Sequence, residues 1–395
     1  MSEVRFKLDW HAGPSAQVEV FSPGTGGKGA YQLKYTPAFR STIRPPVEEL
    51  RLGPGELSPI NDQLNQLVDT LDKARTATGS GPTTTQQQGD ALDEMKMLGE
   101  QLHTLILPRT GYADIRSGGL FIEIGIDEAL LSYPWELMHD GDDFLCLKHA
   151  IGRFVNSTLQ TIPSMQQPTS YLGSTLDSLE ILIISVPKPQ PRPEGLEYDN
   201  LPEAEGETIA ICEVLAGIEG INFEVLKGNK ATYNEVFKKL NKNKYNIIHY
   251  NGHANFNEEK RYNSGLVLYD KDMTSGALSK YFAQSPPILC FINACETTRI
   301  PSVKGWKDRY DIFGLAEAFL ATGSYLLGSR WKVNDKAAAG FAKTFYKSLL
   351  IEGEPLGRAI LQARKICKEE SPLDEFAWAN YTLYGDPRVC FRKTL

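Results

Sequence analysis

The sequence predicts an α/β protein: a mostly parallel sheet with helices on both faces, preceded by an α+β N-terminal region. Three observations carry this. From Leu179 onward, short runs that are apolar throughout alternate with helical stretches, as expected of strands buried on both faces. The first fifty residues instead alternate apolar and polar side chains, the mark of half-buried strands. The length, 395 residues, exceeds most single compact domains. The expected division is 1–165 for the N-terminal regulatory or packing region and 166–395 for the larger domain.

The elements follow in order. "VRFKLDW" (4–10), "AQVEVF" (16–21) and "YQLKY" (31–35) read as strands, with "SPGTGGKG" a turn between the last two. "SPINDQLNQLVDTLDKARTA" has helical spacing, with Ser58 as N-cap before Pro59. "TGSGPTTTQQQGD" (78–90) is low in complexity and reads as a flexible surface loop before the helix "ALDEMKMLGEQLHTLIL". "GLFIEIGI" (119–126) is a strand. In the C-terminal part, "LEILIISV" (179–186), "INFEVLKG" (221–228), "YNIIHY" (245–250), "SGLVLYD" (264–270), "PPILCFINA" (286–294) and "SYLLGSRW" (324–331) read as strands. The helices "ETIAICEVLAG", "TYNEVFKKLNKN", "FGLAEAFLATG", "NDKAAAGFAKTFYKSLL" and "PLGRAILQARKICKEE" complete the pattern. The Pro-rich "PKPQPRPEG" (187–195) is an exposed excursion from the first of these strands.

Composition narrows the function. Net charge is −7, so no global basic field exists to bind nucleic acid or anionic lipid. No apolar run approaches the roughly eighteen residues of a membrane span, and "MSEVRFKLDWHAG" lacks the character of a signal peptide. The six cysteines form no C-x-x-C pair, which suits reduced thiols in the cytoplasm.

The candidate chemistry lies in two places. "HYNGHANF" puts His253 three residues past the strand "YNIIHY", and "INACETTR" puts Cys295 just past "PPILCFINA". Chemistry in open α/β sheets collects outside the carboxyl ends of the strands. If the two strands are neighbours, about 4.8 Å apart, their ends can face each other and a histidine base can activate a thiol. Gly252, Ala254 and Ala294 are small and allow a substrate backbone to approach. The backbone N–H groups of Ala254 and Cys295 could form an oxyanion-binding pair, each donor worth on the order of 10²–10³ in rate. Taken singly, a strand-end cysteine is more often a small core residue, and a loop histidine a surface group. His249 and Cys290 fall inside their strands and read as structural. A zinc set of His249, His253, Cys290 and Cys295 would need two ligands to turn out of mid-strand positions, so no metal or other cofactor is expected. No phosphate-binding glycine motif follows any strand, which argues against a nucleotide enzyme.

Together "IIHYNGHANF", "LCFINACET", "GLAEAFLATGSYLLGSRWKVND" and "WANYTLYGDP" resemble the CHAT family of caspase-like cysteine peptidases. "LSYPWELMHDGDDFLCLKHAIGRFV" (131–155) is similar to the segment that often precedes the CHAT core. The resemblance runs from about Leu120 to Arg388; the first 110 residues carry no motif that it covers. It implies a caspase-like fold, His253 as catalytic histidine and Cys295 as nucleophile. "NACET" departs from the caspase "QACRG" pattern, so aspartate specificity is not implied. Trp135 and Glu136 are expected to anchor the N-terminal half onto the peptidase half.

The charged, aromatic loop 297–311 after Cys295 is expected to shape the substrate pocket. Candidate pocket residues are Asp311, Trp331 and Asp335; Asp311 and Asp335 read equally as helix N-caps, and Trp331 as a core residue. The resemblance implies a regulated intracellular endopeptidase. It further implies an effector of bacterial antiviral defence, released by a sensor to cut a dedicated protein such as a gasdermin-like pore former. The rival reading is a catalytically silent caspase-like scaffold that binds peptides or proteins.

Overall fold

The computed structural model of the chain describes residues 4–21, 30–36, 47–51, scattered positions between 59 and 70, 82–107, 115–156 apart from 117, 128–129 and 131–132, 173–255 apart from 194 and 203, 263–296, 319–329 apart from 321, 335–370 and 377–394. The N-terminal strands are β1 (Arg5–Trp10), β2 (Ser15–Phe21), β3 (Ala30–Thr36) and β4 (Val47–Arg51). Then come α1 (Pro82–Ile106), β5 (Phe121–Asp127), the short α2 (Leu145–Lys148) and β6 (Ala150–Asn156). Next are β7 (Thr175–Leu176), β8 (Leu179–Ser185), α3 (Ala204–Ala216), β9 (Ile221–Lys227) and α4 (Tyr233–Lys242). They lead to β10 (Ile247–Asn255), β11 (Gly265–Val267), β12 (Asp272–Thr274), α5 (Ser275–Phe282), β13 (Leu289–Glu296) and β14 (Tyr325–Ser329). The chain ends with α6 (Asp335–Tyr346), α7 (Leu356–Glu370), α8 (Ala377–Asn380), β15 (Tyr381–Tyr384) and β16 (Val389–Thr394).

Among the described residues, thirteen strands form one sheet in the order β9-β8-β10-β13-β14-β15-β6-β5-β2-β3-β4, with β11 and β12 added beside β10. Strands β9, β8, β10, β13 and β14 are mutually parallel, which requires the crossover helices the sequence pattern supplies. β15 runs antiparallel to β14 and joins β6. The N-terminal strands thus extend the same sheet, and β1 pairs separately with β16.

Both faces of the central strands are buried. On one face Ile247, Leu289 and Phe291 pack against Ile211 of α3, Phe341 and Phe345 of α6 and Ile360 of α7. On the other, Ile248, Tyr250, Cys290 and Ile292 belong to a core shared with Met95 and Leu98 of α1, Val236 of α4 and Phe282 of α5. The alternation follows from the two-residue period of a strand. Helices therefore cover both faces, as the sequence predicts. The residues of α4 explain its start: Thr232 caps it by accepting from the Glu235 N–H at 3.3 Å, and Glu235 lies in the first turn.

Several expectations need correction. Residues 82–90, read as loop, are the first turns of α1; the low-complexity Thr and Gln run is helical because it continues the amphipathic stretch behind it. Residues 78–81 lie outside the described residues. β6, β7, β12, β15 and β16 were not expected as strands, nor α5 and α8 as helices. His253 and Cys295 do not lie beyond their strands: the ladder between β10 and β13 continues to Ala254↔Glu296, and β11 carries β10 on to Asn255. The excursion 187–195 is not wholly exposed, since Pro189 and Arg192 are buried. Among the described residues no helix is long and apolar enough to cross a membrane.

Candidate active site

The position of His253 follows from how β10 changes neighbours. Along one edge β10 pairs with β13 from Ile247↔Leu289 to Ala254↔Glu296. Along the other it pairs with β8 only as far as Asn251↔Ser185, and β11 takes over at Ala254↔Leu266. His253 sits in the gap between those two partners. Moreover β8 leads to β9 on one side and β10 lies on the other, so this gap is at a reversal of strand order, where open α/β sheets place ligands.

Register puts Cys295 directly opposite His253. Neighbouring strands lie about 4.8 Å apart, so the two backbones are as close as a sheet allows. The histidine is held from several sides. Its Nε2 lies 2.8 Å from the Asp199 carbonyl oxygen, and its ring is 5.2 Å, centroid to centroid, from the ring of Tyr198. A carbonyl oxygen only accepts, so the proton of this bond sits on Nε2, and in the neutral ring Nδ1 is the basic nitrogen. The buried Tyr250 hydroxyl lies 2.6 Å from the His253 carbonyl and 2.9 Å from that of Val267. This pins the backbone of β10 to β11. A Cβ at position 252 would lie 2.6 Å from that hydroxyl oxygen, which is why glycine precedes the histidine. Ala254 packs in the core behind.

A polar cluster stands beside the histidine. Asn255 Nδ2 donates to Asp272 Oδ2 at 2.6 Å and to the Tyr198 hydroxyl oxygen at 3.0 Å. Arg192 Nη2 donates to Asp272 Oδ1 at 2.7 Å. Burial, reinforced by the Asp272 charge, pushes the Tyr198 hydroxyl above its ordinary pKa, so it stays protonated at neutral pH.

Deeper on the α3 face, His249 is tied into a network of its own. Its Nε2 is 3.0 Å from Glu207 Oε1 and its Nδ1 3.2 Å from the Tyr346 hydroxyl. Asn293 Nδ2 donates to the same Glu207 oxygen at 2.9 Å, and the Tyr381 hydroxyl donates to Asn293 Oδ1 at 3.2 Å. Asn251 Nδ2 donates to Ala204 O at 3.1 Å at the start of α3. The network joins β10, β13, α3, α6 and β15, and β10, β13 and β15 carry sequence motifs. His249 is structural, as its mid-strand position indicated. Cys290 lies in the opposite core, its thiol pushed well above the ordinary range by burial. His249 and Cys290 therefore cannot share one metal ion.

The other sequence candidates stand as follows. Asp311, Trp331 and the loop 297–311 lie outside the described residues. Asp335 opens α6. Glu136 is bound to Arg153 of β6, and Arg153 makes the link to the C-terminal half through the Tyr384 ring 5.9 Å away. Sequence reasoning missed Asp199, Tyr198, Asn255, Asp272, Arg192 and Glu207. Only the "GHAN" run hinted at one of them, since Asn255 lies two residues from the histidine.

A caspase-like α/β peptidase fold, with a histidine and a cysteine in register at its strand-order reversal, is the class these observations define. The CHAT domain family model matches residues 96–386, and the chain belongs to that family. Among solved structures, the separase–securin complex of Saccharomyces cerevisiae aligns with TM-score 0.54 and 13% identity over 94% of this chain and 30% of that one. The chain thus spans less than a third of separase. The Arg-specific cysteine proteinase gingipain R aligns with TM-score 0.43 and 11% identity over 76% of this chain and 68% of its own. A complex of the pro- and mature domains of Porphyromonas gingivalis RgpB gives 0.42 and 11%, over 86% and 78%. A search of curated proteins returned no match.

Proposed function

We propose that this chain is a regulated cysteine endopeptidase with Cys295 as nucleophile and His253 as its acid–base partner. The observation that carries the reading is the register of His253 with Cys295, together with the Asp199 carbonyl that keeps the imidazole proton on Nε2. In the first step His253 takes the Cys295 thiol proton, becoming the imidazolium, and the thiolate attacks the scissile carbonyl carbon. The oxyanion is received by the backbone N–H groups of Ala254 and Cys295, that of Ala254 becoming available only as β10 parts from its ladder partners Glu296 and Leu266. Collapse forms a thioester and expels the amine, which takes a proton from the His253 imidazolium. Water, deprotonated by His253, then attacks the thioester, releasing the acid and restoring the thiol.

Regulation is part of the proposal because His253 is 0% exposed. A substrate reaches it only when the covering segments shift, which suits an enzyme held inactive until a partner acts. The remaining features rest on family membership: a cytoplasmic effector of antiviral defence, an activating sensor protein, and a dedicated protein substrate, gasdermin-like or otherwise. Asp311, Trp331 and Asp335 are the proposed pocket residues, with Asp311 facing a basic P1 side chain. Complete burial of His253 equally fits a silent scaffold, so the test must separate the two.

The experiment is cleavage of a diverse peptide library by wild type, Cys295→Ala and His253→Ala, read by mass spectrometry. Alongside it, iodoacetamide alkylation of Cys295 is followed at about pH 6, where a free thiol of pKa about 8.5 is almost inert. Cleavage lost in both variants, with fast His253-dependent alkylation, supports the peptidase. No cleavage calls for the same assay with candidate partners added; a Cys295 still as slow as an ordinary thiol and still no cleavage in their presence would favour the scaffold instead.

A further inference from the structure

The Pro-rich excursion between β8 and α3 supplies two groups that touch the His253 ring, the Asp199 carbonyl and the Tyr198 ring. Residues 187–201 leave the sheet where β8 ends, and the loop closes on itself through the Leu201 N–H to Pro187 O at 2.9 Å. Most of its described residues are exposed; before Leu201, only Pro189, Arg192 and Tyr198 are buried. A loop with so little apolar burial depends on polar ties for its position.

Arg192 provides most of the side-chain ties, beside a backbone bond from the Gln190 N–H to Tyr269 O at 2.8 Å. Its side chain is 5% exposed. Nη2 donates to Leu268 O at 2.9 Å and to Asp272 Oδ1 at 2.7 Å, while Nη1 donates to Gln190 O at 3.2 Å within the loop. The guanidinium carbon lies 5.3 Å from the Tyr198 ring centroid, and the same ring lies 5.2 Å from that of His253. Asp272 completes the circuit, since its second oxygen takes Asn255 on β10. One forked cation therefore binds the loop, the β11–β12 hairpin and the ring against the histidine, a task a single ammonium could not share out.

We infer that Arg192 is a positioning residue for His253: it locks the 187–201 excursion onto Asp272, so that the Asp199 carbonyl and the Tyr198 ring hold the imidazole in the orientation that serves Cys295. The inference rests on the peptidase reading above. Its physical basis is that a displacement of about 1 Å in a reacting group can cost on the order of 10²-fold in rate.

The test is the pH profile of Cys295 alkylation by iodoacetamide, measured by peptide mass spectrometry on the full chain. Wild type should show a His253-dependent limb reaching below neutral pH. Arg192→Ala should lower the rate on that limb by about tenfold or more and move the profile towards that of a free thiol. Arg192→Lys should fall between, and Lys188→Ala, on an exposed part of the same loop, should match wild type. Backbone amide exchange should quicken over 187–201 in Arg192→Ala while the strands keep their protection. If Arg192→Ala does not fold, Asp272→Asn is read in the same way. A profile unchanged in the folded Arg192 or Asp272 variant overturns the inference and leaves the dyad standing. A wild-type profile with no His253-dependent limb overturns the peptidase reading itself, and amide exchange then still reports whether Arg192 holds the loop.

Discussion

Replacing Glu136 with alanine should cost this protein about 3–5 kcal/mol, because it removes a carboxylate that pairs bidentately with a buried guanidinium. Arg153 is fully buried and Glu136 is 2% exposed. Arg153 Nε donates to Glu136 Oε1 at 2.6 Å, and Nη2 meets Oε2, so the pair is bidentate. Arginine cannot shed its proton at any working pH, so the loss cannot be relieved by neutralisation. An exposed pair would contribute only about 0–1 kcal/mol, and burial makes the difference. The same residue matters to the fold beyond the pair, since the Arg153 carbonyl accepts from the Gly385 N–H at 2.9 Å. The assay is equilibrium urea unfolding followed by tryptophan fluorescence, with the midpoint compared at constant slope. The double variant Glu136→Leu/Arg153→Met removes both charges and fills the space, and should cost far less than Glu136→Ala alone. A single-variant cost under about 1 kcal/mol would refute the reasoning, as would a double variant no better than the single.

Other outcomes follow from the same structure. Burial pushes the Glu123 carboxyl from an ordinary 4.5 up to about 7, against the pull of Arg388. The folded state therefore holds this proton more tightly than the unfolded one. Its contribution to stability is full below about 4.5 and is lost as pH rises to about 7, so Glu123→Gln should flatten that decline in urea titrations across the range. Gly385 has φ 145°, and a Cβ there would lie 2.1 Å from Tyr325 Cδ1; Gly385→Ala should cost about 2–5 kcal/mol in the same assay. Glu207→Ala would strip buried His249 and Asn293 of a shared acceptor and should cost about 2–5 kcal/mol, while Glu207→Gln, which keeps the acceptor oxygen, should cost less.

The sequence determined the central strands β8, β9, β10, β13 and β14 and the helices α3, α4, α6 and α7. Runs such as "LEILIISV" and "PPILCFINA" are apolar at every position, and only burial on both faces explains that. It also marked His253 and Cys295, because a histidine and a cysteine at the ends of two such runs are local facts. The strands β1, β2 and β3 were legible from their alternation, whereas β6, β15 and β16 were not. These carry Arg153, Thr382 and Cys390, polar or mixed positions whose burial depends on partners far away in the chain.

Only the tertiary structure decided the rest of the site. The replacement of β8 by β11 beside β10 opens the gap that His253 fills, and nothing in the local sequence encodes which strand pairs where. Asp199 contributes a carbonyl, a group every residue has, so no residue type could announce it. Arg192 lies in a proline-rich run that reads as solvent-exposed, and its burial comes from Asp272, eighty positions further on. Periodicity reports which face of an element is covered; the partner of a buried charge is set by the packing of distant elements.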